Sequence, residues 1–173
     1  SFVTTMEDGI RLMIVDPGHF HAALVQKKMS RSIARQVHVY APEGPELQDY
    51  LSRIEGFNSR EQEPTQWESI IHSDLDYLGS MLRARPGNVI VTAGNNQRKT
   101  EYLKAAVGAG IHVLADKPMC IDVEGWKLLK ASFDTARQND VLLYDIMTER
   151  FEITSILQRD YPVALGILVI SSL

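Results

Sequence analysis

The chain has 173 residues, 45% hydrophobic and 23% charged, with one cysteine and a formal net charge of −4. That is room for one domain with a sizeable core, and the composition is that of an ordinary globular protein. The acidic balance and the lack of a basic stripe argue against nucleic acid, no run approaches the ~20 apolar residues of a membrane span, and one thiol rules out an internal disulfide.

Strand and helix patterns alternate along the chain. Residues 10–15 (IRLMIV) read as a buried strand. Residues 19–29 read as a helix, with Phe20, Ala23, Leu24 and Lys27 at helical spacing. A second strand is predicted over 37–40. Pro45 suits the first turn of the next helix, in which Leu47, Tyr50, Leu51 and Ile54 form one apolar face and Gly56 supplies the stop. Residues 57–66 (FNSREQEPTQ) read as a polar loop, followed by a brief strand at 70–72. Ser73 or Asp74 is expected to cap a helix running to about Arg83, which Arg85-Pro86-Gly87 ends. Residues 88–92 (NVIVT) form a strong strand. Asn96 or Gln97 opens a helix with Leu103, Ala106 and Val107 on one face, stopped by Gly108 and Gly110. Residues 111–115 are the fifth strand. Asp122 caps a helix with Trp126, Leu129 and Phe133 on one side, and 141–144 (VLLY) is the sixth strand.

Strands alternating with helices in this way imply an α/β fold, a doubly wound parallel sheet between two helical layers. The domain is expected to cover 1–146. Residues 147–173 are read as a linker and the start of a missing C-terminal α+β substrate domain. The apolar run 164–170, close to the last residue, suggests a truncated chain, and the start at Ser1 an incomplete N-terminus. No secretory leader is read, so a cytoplasmic, reducing location is expected, with Cys120 a small buried residue.

The most informative segment is Gly110 to Pro118 (GIHVLADKP). It places Asp116, Lys117 and Pro118 where the fifth strand stops. Ligands of open α/β sheets bind outside the carboxyl ends of the strands. Lys117 there can hydrogen-bond a substrate hydroxyl or exchange a proton with it, and Pro118 fixes the backbone beyond it. The plain alternative is a surface lysine.

The first strand-to-helix turn is Asp16-Pro17-Gly18-His19-Phe20-His21-Ala22. A dinucleotide fold places its G-x-G-x-x-G turn here, with the pyrophosphate on the helix N-terminus. Gly18 holds the second glycine position, Asp16 replaces the first and His21 the third. A carboxylate at position 16 repels pyrophosphate unless it turns away or is neutralised. Glu43, after the second strand, is the candidate ribose ligand. No Lys or Arg follows it to receive a 2′-phosphate, which favours NAD over NADP. An ordinary polar turn is the competing reading. Gly94, Asn95 and Asn96 follow the fourth strand, where they could contact a ribose or nicotinamide; Asn96 could equally be a helix cap.

His19 and His21, preceded by Asp16, are also spaced to share a divalent metal, with His72 and His112 as further ligands in principle. That would suit a metal-dependent hydrolase. No G-x-S-x-G nucleophile elbow occurs.

With these residues in view, the chain over about 10–158 resembles the N-terminal domain of the glucose–fructose oxidoreductase / inositol dehydrogenase / MocA (Gfo/Idh/MocA) family. The most specific part is 89–118 (VIVTAGNNQRKTEYLKAAVGAGIHVLADKP), where the family has a strand, a T-P-N-like turn, a helix ending in A-G, then H-V-L-x-E-K-P. Asp116 stands at the acidic position. Met147-Thr148-Glu149-Arg150-Phe151 is similar to the family's R-R-F/Y-like segment, whereas the Asp16 turn departs from its glycine-rich loop. The resemblance implies an NAD(P)-dependent dehydrogenase acting on a sugar, cyclitol or related hydroxyl, homo-oligomeric at full length. It implies that Lys117 is the catalytic lysine on the reacting hydroxyl, that Asp116 and Pro118 shape its turn, and that Asp116, Lys117 and Pro118 also contact the cofactor. It further implies that Pro17, Gly18, His19 and Phe20 line the pyrophosphate and that Gly94, Asn95 and Asn96 lie near the nicotinamide. No metal is implied. The fragment alone is expected to bind NAD without turning over substrate. A non-catalytic nucleotide-binding or interaction module is the alternative.

Overall fold

The computed structural model describes residues 9–146. Six strands form one sheet: β1 (Leu12–Val15), β2 (Gln36–Tyr40), β3 (Glu68–His72), β4 (Val89–Thr92), β5 (His112–Ala115) and β6 (Leu143–Asp145). All neighbours are parallel and the spatial order is β3-β2-β1-β4-β5-β6. This is the doubly wound arrangement expected from the alternating pattern, with the reversal of strand order between β1 and β4. The central strands β1, β4 and β5 are buried at every residue, which is why they read as near-continuous apolar runs, broken only by the buried Thr92 and His112.

Alternate side chains enter two cores. Leu12 and Ile14 join Val37, Val39, Val91, Tyr50, Ile54 and Trp67 on one face. Met13 and Val15 join Ile90, Val113, Tyr102, Leu103 and Leu129 on the other. The helices α1 (Pro45–Ser59), α2 (Tyr77–Ala84), α3 (Lys99–Gly108) and α4 (Val123–Gln138) complete the layers.

The first crossover differs from expectation. Phe20–Gln26 is a 3₁₀ helix, with i→i−3 bonds such as Ala22 N–H to His19 O at 3.0 Å. Three residues per turn rotate the buried face to Ala22, Ala23 and Gln26 and leave Phe20 and Leu24 exposed. Buried Gln26 anchors the segment: Tyr50 Oη donates to its Oε1 at 2.5 Å and Trp67 Nε1 to its carbonyl at 2.7 Å.

Other boundaries shift for local reasons. Gly56 does not end α1; it lies in open space, and the helix runs on to Ser59, with Phe57 packed against the core. Asn58 then organises the polar loop, bonding Thr65 and both backbone groups of Trp67. Asp76, not Ser73 or Asp74, caps α2 by accepting from Gly79 N–H. Neither Asn96 nor Gln97 caps α3, whose N-cap Arg98 makes no side-chain cap. Asp122 caps α4 as expected; Leu129 is buried, but Trp126 is exposed and Phe133 only half-buried. Cys120 is half-buried beside that core. No described helix is long and apolar enough to cross a membrane. The linker and domain start read at 147–173, with the 147–151 match and the apolar run 164–170, lie outside the described residues.

Candidate functional site at the switch point

The turn after β1 is shaped by a carboxylate that points inward. Asp16 takes up a left-handed φ of 48°, which aspartate tolerates better than most residues. Its side chain is buried, and Oδ2 accepts from Tyr102 Oη and Asn95 Nδ2, both at 2.6 Å. The network continues from Tyr102 to Tyr77, 2.6 Å away, and on to Arg98, whose Nη1 donates to Tyr77 at 2.6 Å. Burial, aided by the neighbouring Asp16, pushes the Tyr102 hydroxyl well above the usual phenol range, so it stays a donor. Burial also pushes Tyr77 up. The Asp16 charge is thereby held by hydrogen bonds on the inner side of the turn.

That inward turn brings two backbones together. Gly18 N–H donates to Ala93 O at 2.7 Å. A Cβ on Gly94, which has φ of 91°, would lie 2.5 Å from the Gly18 Cα and carbonyl carbon. Glycine is therefore required at 94 for close approach as well as for its dihedral angle. On the outer side, Pro17, Gly18 and His19 line a cleft of about 260 Å³ together with Glu46, Asp49, Tyr50 and Arg53 of α1. Glu43 is exposed and does not line it. Phe20 is also exposed, with the Arg53 guanidinium 6.0 Å from its ring centroid.

The end of β5 is organised by Lys99, which is fully buried. Its ammonium donates to Asp116 Oδ1 at 2.5 Å, Asp116 O at 3.1 Å, Pro118 O at 2.9 Å and Asn96 Oδ1 at 2.8 Å. The carbonyls on either side of Lys117 are thus tied to one buried cation. Lys117 itself is exposed, and its Nζ lies 3.2 Å from Asp145 Oδ2 at the end of β6. The other Asp116 oxygen faces His19 and His21, with Nδ1 atoms 3.8 and 3.5 Å away. The β1 turn and the Asp116-Lys117-Pro118 turn therefore share one rim of the sheet. The matched model of the oxidoreductase family with an NAD-binding Rossmann fold (Gfo/Idh/MocA) spans residues 18–144. The chain belongs to that family.

The match begins just past Asp16 and Pro17, where the turn departs from the glycine-rich pattern. A protein of known structure from Parabacteroides merdae, classed as an oxidoreductase, is 51% identical with a TM-score of 0.79; the alignment covers 87% of this chain and 34% of that one. The biliverdin reductase of Synechocystis sp. PCC 6803, solved with biliverdin and NADP⁺, shares the fold at 15% identity and TM-score 0.58, over 79% of this chain and 37% of its own. The WlbA dehydrogenase of Bordetella pertussis, solved with NADH and UDP-GlcNAcA, does so at 16% and 0.54, over 79% and 34%. The chain thus spans about a third of the length of these proteins. No curated protein matches it.

The sequence-derived residues fall into three groups. Pro17, Gly18, His19 and Gly94 build the crevice. Asp116, Lys117 and Pro118 form the turn beside it. Asn95 and Asn96 spend their side chains inside the protein, on Asp16 and Lys99. The proposed metal partners are corrected: Asp16 faces Tyr102, His72 lies 2.9 Å from His38, and His112 Nδ1 accepts from Leu142 N–H at 3.0 Å. Among the described residues the group that gathers is His19, His21 and Asp116. Sequence reasoning missed Lys99, Tyr102, Glu46 and Asp49. Lys99 had a signal, for it stands one helical turn before Leu103 on the apolar face of α3.

Proposed function

We propose that the domain binds a nicotinamide dinucleotide across the β1–β4 switch point, NAD in preference to NADP. In a protein of its relatives' length it would support oxidation of a hydroxyl on a sugar, cyclitol or related small molecule. The observation that carries this reading is the shared rim: the exposed Lys117 amine stands one residue from Asp116, whose carboxylate reaches His19 beside Gly18.

The residues present fit a dinucleotide. Asp16 is turned away, which removes the repulsion its position threatens. Pro17, Gly18, His19 and Phe20 would hold the pyrophosphate side, and Gly94 with the Asn95 and Asn96 backbone the nicotinamide side. Glu46 and Asp49, rather than Glu43, line the cleft and suit ribose hydroxyls; their charge opposes a 2′-phosphate. Arg53 is engaged by Asp49 at 2.9 Å. When bound, the cofactor supplies the hydride acceptor. Lys117 would hydrogen-bond the reacting hydroxyl and help its proton leave, with Asp145 orienting the ammonium and Lys99 fixing the turn.

A second domain would hold the substrate, since positioning can supply several kcal/mol of barrier lowering. The exposed apolar side chains of Ile121, Val123 and Trp126, just past the Lys117 turn, support a covering partner there. The test is fluorescence titration of the chain with NADH and NADPH. Saturable NADH binding at least about tenfold tighter than NADPH, near 1.4 kcal/mol, is expected. Absence of binding to either sinks the reading, and tighter NADPH binding reverses the cofactor choice.

A further inference from the structure

We infer that His19, His21 and Asp116 form a site for one divalent transition-metal ion of the zinc class. The site goes beyond the dinucleotide reading and does not rest on it.

The backbone sets the three side chains up. His19 is extended, with φ −143° and ψ 151°, and His21 lies in the first turn of the 3₁₀ helix. Their rings meet edge-on with centroids 4.2 Å apart, and both pack on Phe20 at 4.4 and 4.3 Å. Asp116 arrives from β5. The three ligand atoms all lie within 4.8 Å of one another, and Asp116 Oδ2 is 3.5 and 3.8 Å from the two imidazole nitrogens. Zinc bonds of about 2.0–2.2 Å place tetrahedral ligands roughly 3.4 Å apart. The carboxylate contacts need to contract by only tenths of an ångström.

Two observations favour a ligand over a resting arrangement. His21 Nδ1 is buried without a hydrogen-bond partner, and it faces the carboxylate oxygen. The carboxylate is also divided: Oδ1 takes the Lys99 ammonium and the Gly94 N–H, which leaves Oδ2 for the imidazoles. A carboxylate oriented by a buried donor is the outer-shell support that metal ligands receive elsewhere. Two imidazoles and a carboxylate match the donor preferences of zinc and its neighbours, rather than those of magnesium or calcium. Three protein ligands leave a coordination position open, and the half-exposed His19 puts it on the crevice side. An oxygen of a phosphate, hydroxyl or carbonyl fits there. Lys99 already balances Asp116, so the ion's charge remains available to such a ligand.

The test is equilibrium dialysis of the chain against micromolar Zn²⁺, with stoichiometry by atomic emission and affinity by competition with a chromophoric chelator. Expected are about one equivalent per chain and at least about tenfold weaker binding in both His19→Ala and His21→Ala. His72→Ala, which breaks the other histidine pair, should bind as the parent does. Co²⁺ should give the visible bands of low-coordinate cobalt in the parent chain, a readout that survives if a variant misfolds. Substoichiometric zinc with no cobalt bands overturns the proposal, as does full binding by His21→Ala or its loss in His72→Ala. NADH titration reads the dinucleotide site separately, so either assignment can fail alone.

Discussion

Tyr102 Oη donates to Asp16 Oδ2 at 2.6 Å across 86 residues of sequence. This bond makes the acid at the first position of the β1 turn an internal brace. Asp16→Asn keeps a residue that tolerates the left-handed turn but removes the charge. It should lower stability by about 1–2 kcal/mol in urea unfolding while changing the NADH dissociation constant less than about threefold. A large gain in affinity would mean that the carboxylate faces the nucleotide.

Gly94→Ala forces a methyl into the Gly18 backbone. We expect a loss of at least about 2 kcal/mol, from positive φ and close contact together, with NADH binding abolished or severely weakened. Wild-type stability in this variant would contradict the packing of the two turns.

Lys99→Met should cost about 3–5 kcal/mol, because it strands the Asp116 carboxylate and removes the donor to two carbonyls. Adding Asp116→Asn should recover part of that loss. A double-mutant cycle checks this; strictly additive effects would show that the pair is uncoupled.

Burial holds the His112 imidazole below its ordinary range, only partly offset by Asp140. The folded chain therefore binds fewer protons than the unfolded chain below about pH 6.5. Its contribution is fully present above that value and is lost as pH falls through the lower, folded-state value. His38, lowered by burial and by His72, acts in the same direction. Urea unfolding from pH 7.5 to 5 should show falling stability with a shallower slope in His112→Gln. That variant should also be less stable at pH 7.5, where Leu142 N–H loses its imidazole acceptor.

Lys117 is exposed and held only at its tip, so Lys117→Ala should leave folding and NADH affinity nearly unchanged. In the protein of full relative length, the same change should cut kcat/KM by about 10²–10⁴-fold if Lys117 handles the substrate proton. A fall in NADH affinity alone would move Lys117 from chemistry to cofactor binding.

The pattern of apolar runs and helix faces anticipated all six strands, because buried parallel strands must be apolar on both sides. It misjudged the first helix, because a 3₁₀ turn and an α-helix share a composition and differ in which face the tertiary contacts of Gln26 pull down. The site was half legible. Gly18, Asp116 and Lys117 stand out because a glycine, an acid and a lysine at strand ends break the local pattern. Glu46 and Asp49 look like any solvated face of α1 until the cleft beside them exists.

That the strands run parallel between two helical layers could be derived from local periodicity and the right-handed crossover, both properties of short stretches; their order in the sheet came from the tertiary structure. Where charges end up could not be derived that way. Asp16 facing inward, Lys99 beneath the Lys117 turn, and two histidines gathered on Asp116 each depend on contacts between residues far apart along the chain. A carboxylate's role follows from what surrounds it, and those surroundings form when the sheet assembles.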